Sequence, residues 1–354
     1  MLKNFILFGI IFLLCSCSAP VEKAPKVKNI ILMIGDGMGL TQVYAGYTAN
    51  KGKLNLEKAT YIGFSKTYSA NAYITDSGAG GTAMSTGVKT KNRAIGVDTL
   101  GQALKTILES AEEHGLATGL VATSAITHAT PASFIAHQVS RYNYVSIAED
   151  FIDSGIDIFL GGGKQFFESD TLNISDTLRN KGYSIGYNLD SINPNIAENI
   201  GCLAADDGLP RMLDGRGDFL PKAIDIALTK LSQNDKGFFV MIEGSQIDWG
   251  GHDNDIDYVI TEVLDFDKAI GKAFDFADKN PGTLVIVTAD HETGGLSIIG
   301  GDLATGEMTT NFGTADHTSV MVPVFAYGTG AEEFAGIYEN TGIYHKMMKL
   351  LKFE

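Results

Sequence analysis

The stretch "NIILMIGDGMG", Asn29 to Gly39, sets the fold class. Its first seven residues form an almost unbroken apolar run, which ends at an acid held between two glycines. A half-exposed strand alternates polar and apolar residues. A run without alternation reads as a strand buried on both faces, as in parallel sheets covered by helices. Similar runs recur at "ATGLVAT" (117–123), "DIFLGG" (157–162), "GFFVMIEG" (237–244), "TLVIVTAD" (283–290) and "VMVPVFAYG" (320–328). Amphipathic stretches lie between them. "TLGQALKTILESAEEHG" (99–115) aligns Leu100, Ala103, Leu104, Ile107, Leu108 and Ala111 on one helical face. "IDYVITEVLDFDKAIGKAFDFA" (256–277) does the same with Ile256, Val259, Val263, Ile270 and Phe274, and "TGIYHKMMKLLKF" (341–353) reads as a closing helix. This alternation predicts an α/β three-layer sandwich: a central, mostly parallel sheet flanked by helices.

Composition narrows the class. The chain has 354 residues, 44% of them hydrophobic, enough for a sizeable core. Its net charge of -15 repels nucleic acid, so no nucleic-acid partner is expected. A phosphate-like substrate would need a strongly positive local site, which bound metal cations could supply. The N-terminus "MLKNFILFGIIFLLCSCSAP" has Lys3 and then an apolar run from Phe5 to Leu14, too short to span a bilayer comfortably and suited to a signal peptide. Residues 1–17 therefore read as a signal segment ending in a lipobox-like Leu14-Cys15-Ser16-Cys17, with Cys17 as the lipidated residue. Ordinary secretion with cleavage near Ala19 is the alternative. Residues 18–28 suit a tether, and 29–354 read as a single domain. The expected location is exported: periplasm or outer membrane. Cys202 reads as a buried small hydrophobe.

Ligands of such folds gather beyond the carboxyl ends of the strands. Acidic and His residues fall there. Asp36 follows the first strand, and "THAT" (127–130) follows the second. "EGSQIDWGGHDND" spaces Asp248 and His252 four apart, with Glu243 five before Asp248. Carboxylate with imidazole suits zinc, and carboxylate with hydroxyl suits magnesium; an Asp-rich helix start is the alternative. "VTADHETGG" puts Asp290 and His291 at a strand end, where an unpaired buried charge would be costly. Asp316-His317 in "GTADHTS" is weaker alone. Arg141, in "HQVSR", can be a salt-bridge partner or a bidentate phosphate clamp. His114, His137 and His345 sit on helical patterns and are read as having no chemical role. "ITDSGAGGTAMSTG" (74–87) sets Asp76 and Ser77 before a run of small residues, a flexible loop, a tight turn or a nucleophile at a helix start.

Taken together, "IGDGMG", "TDSGAGGTAMSTGVKT", "THATPA" with "SR" soon after, "EGSQIDWGGH", "TADHETGG" and "DHTS" resemble the metal-dependent alkaline phosphatase family, in its order, over roughly Asn29 to Leu351. The resemblance implies an enzyme hydrolysing phosphate monoesters, with Ser77 as the nucleophile that becomes phosphoserine and Arg141 as the phosphate clamp. It implies two zinc ions and one magnesium. Asp248, His252 and His317 match the ligands of one zinc. Asp290 and His291 match those of the second, with Asp36 bridging toward the magnesium, whose other protein ligands match Thr130 and Glu243. Ser77 would stand at a helix N-terminus, where backbone N–H groups favour an anion, with Asp76 as orienter and cap.

The family also shows where this chain departs. Some bacterial members have Asp at the position of His128 and Lys at that of Trp249; other branches carry His and Trp. Both positions lie near the magnesium and the phosphate, so the swap removes a carboxylate and a cation there. The chain is also short for the family: 101 residues lie between Arg141 and Glu243, and 25 between His291 and His317. Large insertions with dimer contacts are therefore not expected, although family members are commonly homodimers. A phosphodiesterase or phosphonate hydrolase of the same superfamily is the first rival, and a non-catalytic lipid-anchored binding protein the second. Thr130 and Glu243 favour monoesters, since related diesterases usually lack the third metal site. Every matched position is chemically competent, which disfavours the binding protein.

Overall fold

The computed structural model describes residues 26–169 and 171–353. The signal segment, the lipobox-like end with Cys17 and most of the tether lie outside the described residues. Ten strands form the main sheet: β1 Asn29–Gly35, β2 Tyr61–Lys66, β3 Ala117–Ala125, β4 Ile158–Gly162, β5 Tyr183–Gly186, β6 Asn199–Leu203, β7 Phe238–Gly244, β8 Thr283–Thr288, β9 Val322–Gly328 and β10 Gly336–Glu339. Their spatial order is β10-β2-β9-β8-β1-β7-β3-β4-β6-β5. The block from β8 to β5 is parallel throughout. β9 is antiparallel to both β8 and β2, so the last predicted strand lies in the sheet but reversed.

The apolar run of β1 fills two cores at once because successive side chains point to opposite faces. Ile30, Leu32 and Ile34 join one buried cluster, with Leu108 of helix Ile107–His114 and Met347 of the closing helix Thr341–Leu351. Ile31 and Met33 join the other, with Leu220 and Ile224 of helix Phe219–Leu231 and Val259 and Phe266 of helix Ile256–Lys279. These are the three layers that the sequence predicted. Cys202 is buried in the second cluster, its thiol pushed up to about 12 by burial.

One expected helix is half as long as its pattern. The stretch 99–115 is helical only from Ile107, where Thr106 and Glu109 close a reciprocal capping box. Upstream, Gly101 has φ 82, Val97 bridges to Ala103, and Leu100 is 80% exposed. The apolar period of this segment continues past a turn that only glycine adopts easily. His137 likewise lies outside any helix, where it bonds Gly96 and Glu109. Strands β2, β5, β6 and β10 went unpredicted. β2 and β10 carry exposed Tyr61, Ile62 and Ile337 near the sheet edge and lack a continuous buried run. Among the described residues, no helix is long and apolar enough to cross a membrane.

A buried ion group fastens the loop before helix Phe219–Leu231 to the long helix Ile256–Lys279. Arg216 meets Glu262, and also Asp265 at 3.0 Å, with all three side chains at most 2% exposed. Burial raises both acids, while Arg216 opposes it. Arg216→Met should lower unfolding stability by about 3–5 kcal/mol, because it strands two buried carboxylates. Denaturant unfolding checks this; a loss well under 1 kcal/mol would mean the acids find another partner.

Candidate active site

The parallel register brings the acids together. Ile34, directly before Gly35 and Asp36, pairs with Glu243 of β7 on one side and Thr288 of β8 on the other. Asp36, Glu243 and Asp290 thus leave three adjacent strands at one rim. Ala122 of β3 also pairs with Glu243, so β3 delivers His128 and Thr130 to the same rim. Thr130 sits in a four-residue helical turn, Ala129–Ala132, and its Oγ1 lies 3.4 Å from Asp36 Oδ2. Asp248 and His252 occupy the short helix Gln246–His252 after β7. His317 begins a two-residue strand that pairs Thr293 with His317. The structure thus brings Asp36, Thr130, Glu243, Asp248, His252, Asp290, His291 and His317 to this rim.

Ser77 is the first residue of helix Ser77–Thr86, and Asp76 caps it by accepting from the Ala79 N–H at 3.0 Å. The small residues have a steric role. A Cβ on Gly80 would meet Asp290 Cβ at 3.1 Å, and one on Gly81 would meet Ser133 at 2.9 Å. Larger side chains would push the helix off the rim, and Ser77 with it. In place, Ser77 Oγ lies 3.3 Å from His291 Nε2.

Three histidines turn bare nitrogens inward. His252 Nδ1 bonds the Ala315 carbonyl at 2.7 Å and His317 Nδ1 bonds the Thr75 carbonyl at 2.9 Å, so each donates there. Their Nε2 atoms then present lone pairs to one another at 3.1 Å, with Asp248 Oδ1 at 3.4 and 3.5 Å. Thr293 donates its hydroxyl to Asp248 and accepts from His291 Nδ1. The free Nε2 of His291 then faces Asp290 Oδ2 at 3.2 Å and Asp36 Oδ1 at 3.4 Å. Imidazole nitrogens and carboxylates converging this closely call for positive charge between them, a proton or a metal cation.

Ligand atoms of three groups come within 4.8 Å of one another: Asp248, His252 and His317; Asp36, Asp248 and His291; and Asp36, His128 and Glu243. Asp248 is shared between the first two, and His128 enters the third, neither of which spacing revealed. Buried oxygens Asp36 Oδ1, Asp290 Oδ2 and Glu243 Oε1, with His128 Nδ1, have no hydrogen-bond partner. Donors left bare in this way fit divalent cations.

The electrostatics agree. Burial, then the charges of Asp290, Asp248 and Glu243, raises Asp36 well above the usual carboxylate range. Burial pushes Glu243 to about 7 and Asp290 to about 6. Burial also opposes ionisation of Asp248, yet its bond to His252 and the nearby His291 and His317 hold it low. With protons alone, His252 takes one on Nε2, because its bond to Asp248 lifts it to about 9; a bound cation would displace that proton. Burial, reinforced by Arg141, lowers His128 to about 3, so it is a neutral donor.

Beside the rim opens a cavity of about 540 Å³ that contains Ser77, Arg141 and Trp249 in its wall. Arg141 Nη1 donates to Asp76 Oδ2 at 3.0 Å, and Nη2 lies 3.4 Å from His128 Nε2. Trp249 meets His128 edge to face at 6.0 Å. Arg141 lies in a turn outside any helix, and its backbone N–H bonds the Arg93 carbonyl at 2.7 Å. Sequence reasoning missed Thr293, although it lies within the quoted "TADHETGG". It also missed Ser124 and Ser245, which donate to Glu243 Oε2 at 3.2 and 2.6 Å, and Arg93 at the cavity wall.

Known proteins bear on the same residues. The family model described as alkaline phosphatase matches residues 27–312. Alkaline phosphatase 3 of Bacillus subtilis is 37% identical, across 93% of this chain and 90% of its own length. The alkaline phosphatase of Escherichia coli is 32% identical, across 92% and 86%. The solved alkaline phosphatase of the Antarctic bacterium TAB5 superposes with a TM-score of 0.88 at 43% identity, covering 94% of this chain and all of that one. A His-to-Asp variant of that enzyme, solved with Mg bound in its M3 site, gives 0.89. With clusters suited to divalent cations at the rim and these matches across most of its length, the chain belongs to the alkaline phosphatase family and is an enzyme of its phosphomonoesterase chemistry.

Proposed function

We propose that the chain hydrolyses phosphate monoesters through a phosphoserine at Ser77, with two zinc ions and one magnesium. The observation that carries this reading is the convergence of bare His Nε2 atoms and unpartnered buried carboxylate oxygens beside Ser77 Oγ. Asp248, His252 and His317 would hold the first zinc. Asp36, Asp290 and His291 would hold the second, with Ser77 facing it. Asp36, Thr130 and Glu243 would hold the magnesium, with His128 beside them. The magnesium-bearing variant of the TAB5 enzyme supports a cation at the third position.

Ser77 Oγ attacks phosphorus in line with the ester bond. A Ser77 O–P bond forms as the ester P–O bond breaks, and the alcohol leaves. Water then cleaves the phosphoserine and returns the hydroxyl. Arg141, pre-set by Asp76, holds phosphoryl oxygens with its fork of N–H donors. The first backbone N–H groups of the helix that begins at Ser77 favour the anionic product. Bound cations would supply the Lewis acidity that turns a serine hydroxyl and a water into nucleophiles at neutral to alkaline pH.

Residues 29–354 form the catalytic domain of this reading. Export with a lipid at Cys17 would tether it to a membrane surface, and a homodimer is its assembly. The lipobox-like sequence and the common habit of the family support these points.

Ser77→Ala should cut turnover by roughly a thousandfold or more while leaving metal content unchanged. Full activity in that variant would remove Ser77 as nucleophile. Arg141→Ala should raise the inhibition constant of inorganic phosphate by about 10–100-fold, the worth of lost charged hydrogen bonds. Unchanged inhibition, measured on folded protein, would count against the clamp.

A further inference from the structure

We propose that Arg93 is a second anion-binding point at the mouth of the active-site cavity, selecting monoesters whose leaving group carries its own oxyanion. This rests on monoester hydrolysis at Ser77 and concerns the part of the substrate that departs.

Arg93 has φ 76, a left-handed backbone that a side chain with Cβ rarely adopts. Its main chain is tied to both halves of the phosphate clamp. The Arg93 N–H donates to Asp76 Oδ1 at 3.0 Å, and its carbonyl accepts from the Arg141 N–H at 2.7 Å. Asp76 and Arg141 close the ring through their own ion pair at 3.0 Å. A residue held in a sparsely populated conformation beside an active site invites a functional explanation. The backbone bonds alone would be met as well by glycine, so they do not account for the arginine side chain.

That side chain is exposed, in the wall of the cavity, with its guanidinium 5.8 Å from the Tyr142 ring centroid. The chain has five arginines. Arg141, Arg179, Arg211 and Arg216 each pair with a carboxylate, and among the described residues Arg93 pairs with none. In a protein of net charge -15, a free guanidinium at the site is conspicuous. Arg141, the other arginine of the wall, pairs with Asp76 and is given to the phosphoryl group in the proposed reaction. The cavity, at about 540 Å³, is larger than a phosphoryl group needs, and the leaving group occupies the remainder. Exposed Asp316 also contributes to the wall. A carboxylate or second phosphate on the leaving group is therefore drawn to Arg93 and repelled by Asp316, which orients the ester as well as binding it.

The test compares kcat/KM for 3- and 4-carboxyphenyl phosphate with that for their neutral carboxamide counterparts, in the intact enzyme and in Arg93→Gln and Arg93→Lys. All three residues meet the same backbone demand, and the ratio cancels any general loss of activity. The intact enzyme should favour at least one carboxylate over its amide by roughly fivefold at low salt, a preference that fades toward 1 M salt. Arg93→Gln should abolish the preference, and Arg93→Lys should keep most of it. An equal ratio in Arg93→Gln and the intact enzyme, or no preference in the intact enzyme, would overturn the role of Arg93. Failure of the intact enzyme to hydrolyse any of the four esters would instead overturn the monoesterase reading beneath it.

Discussion

Four carboxylates, those of Asp36, Glu243, Asp248 and Asp290, are buried at one rim of the sheet with at most 5% of any residue exposed. They repel one another and have lost most of their water. Arg141 and the histidines supply positive charge that offsets it only in part. Much of the structure follows from this constraint. Three adjacent parallel strands are needed to deliver the acids in register. A helix with glycines at two contact points is needed to bring Ser77 in among them. Carbonyls and a threonine hydroxyl are needed to turn each imidazole so that its bare nitrogen faces the acids. Such an arrangement is costly without compensating charge, and cations bound at the rim would offset that cost.

The fold was legible where strands are buried on both faces. β1 reads from Asn29 to Gly35 in both sequence and structure, because no partly exposed residue interrupts it. The same signal fails toward the sheet edge. β2 and β10 expose one face, and a four- or six-residue strand with exposed Tyr61 or Ile337 looks like a loop. The orientation of β9 was not legible either, since an apolar run carries no direction. The helix expected from residue 99 shows a different limit: an apolar period can run through a glycine turn and a cap that break the helix at Thr106.

The site was legible in its motifs and less so in its geometry. Spacing put Asp248 and His252 on one turn and Asp290 beside His291, and the rule of strand carboxyl ends gathered them. It could not show that Asp248 serves two groups of ligand atoms, because that depends on where His317 returns from a hairpin far along the chain. Nor could it show the outer hydrogen bonds from Thr293, Ser124 and Ser245, which are common residue types with no distinguishing pattern. Arg93 was illegible for the same reason. Its place is set by a backbone φ and by two main-chain bonds, neither of which leaves a mark in the sequence.

A dependence of catalysis on cations bound at this rim follows from this arrangement. It is tested most directly by the metal content of the purified mature protein, taken with hydrolysis of a simple aryl phosphate before and after chelation. About two zinc ions per chain, with alkaline activity lost to the chelator and restored by zinc with magnesium, is the predicted result. Activity that survives complete removal of metal would contradict it.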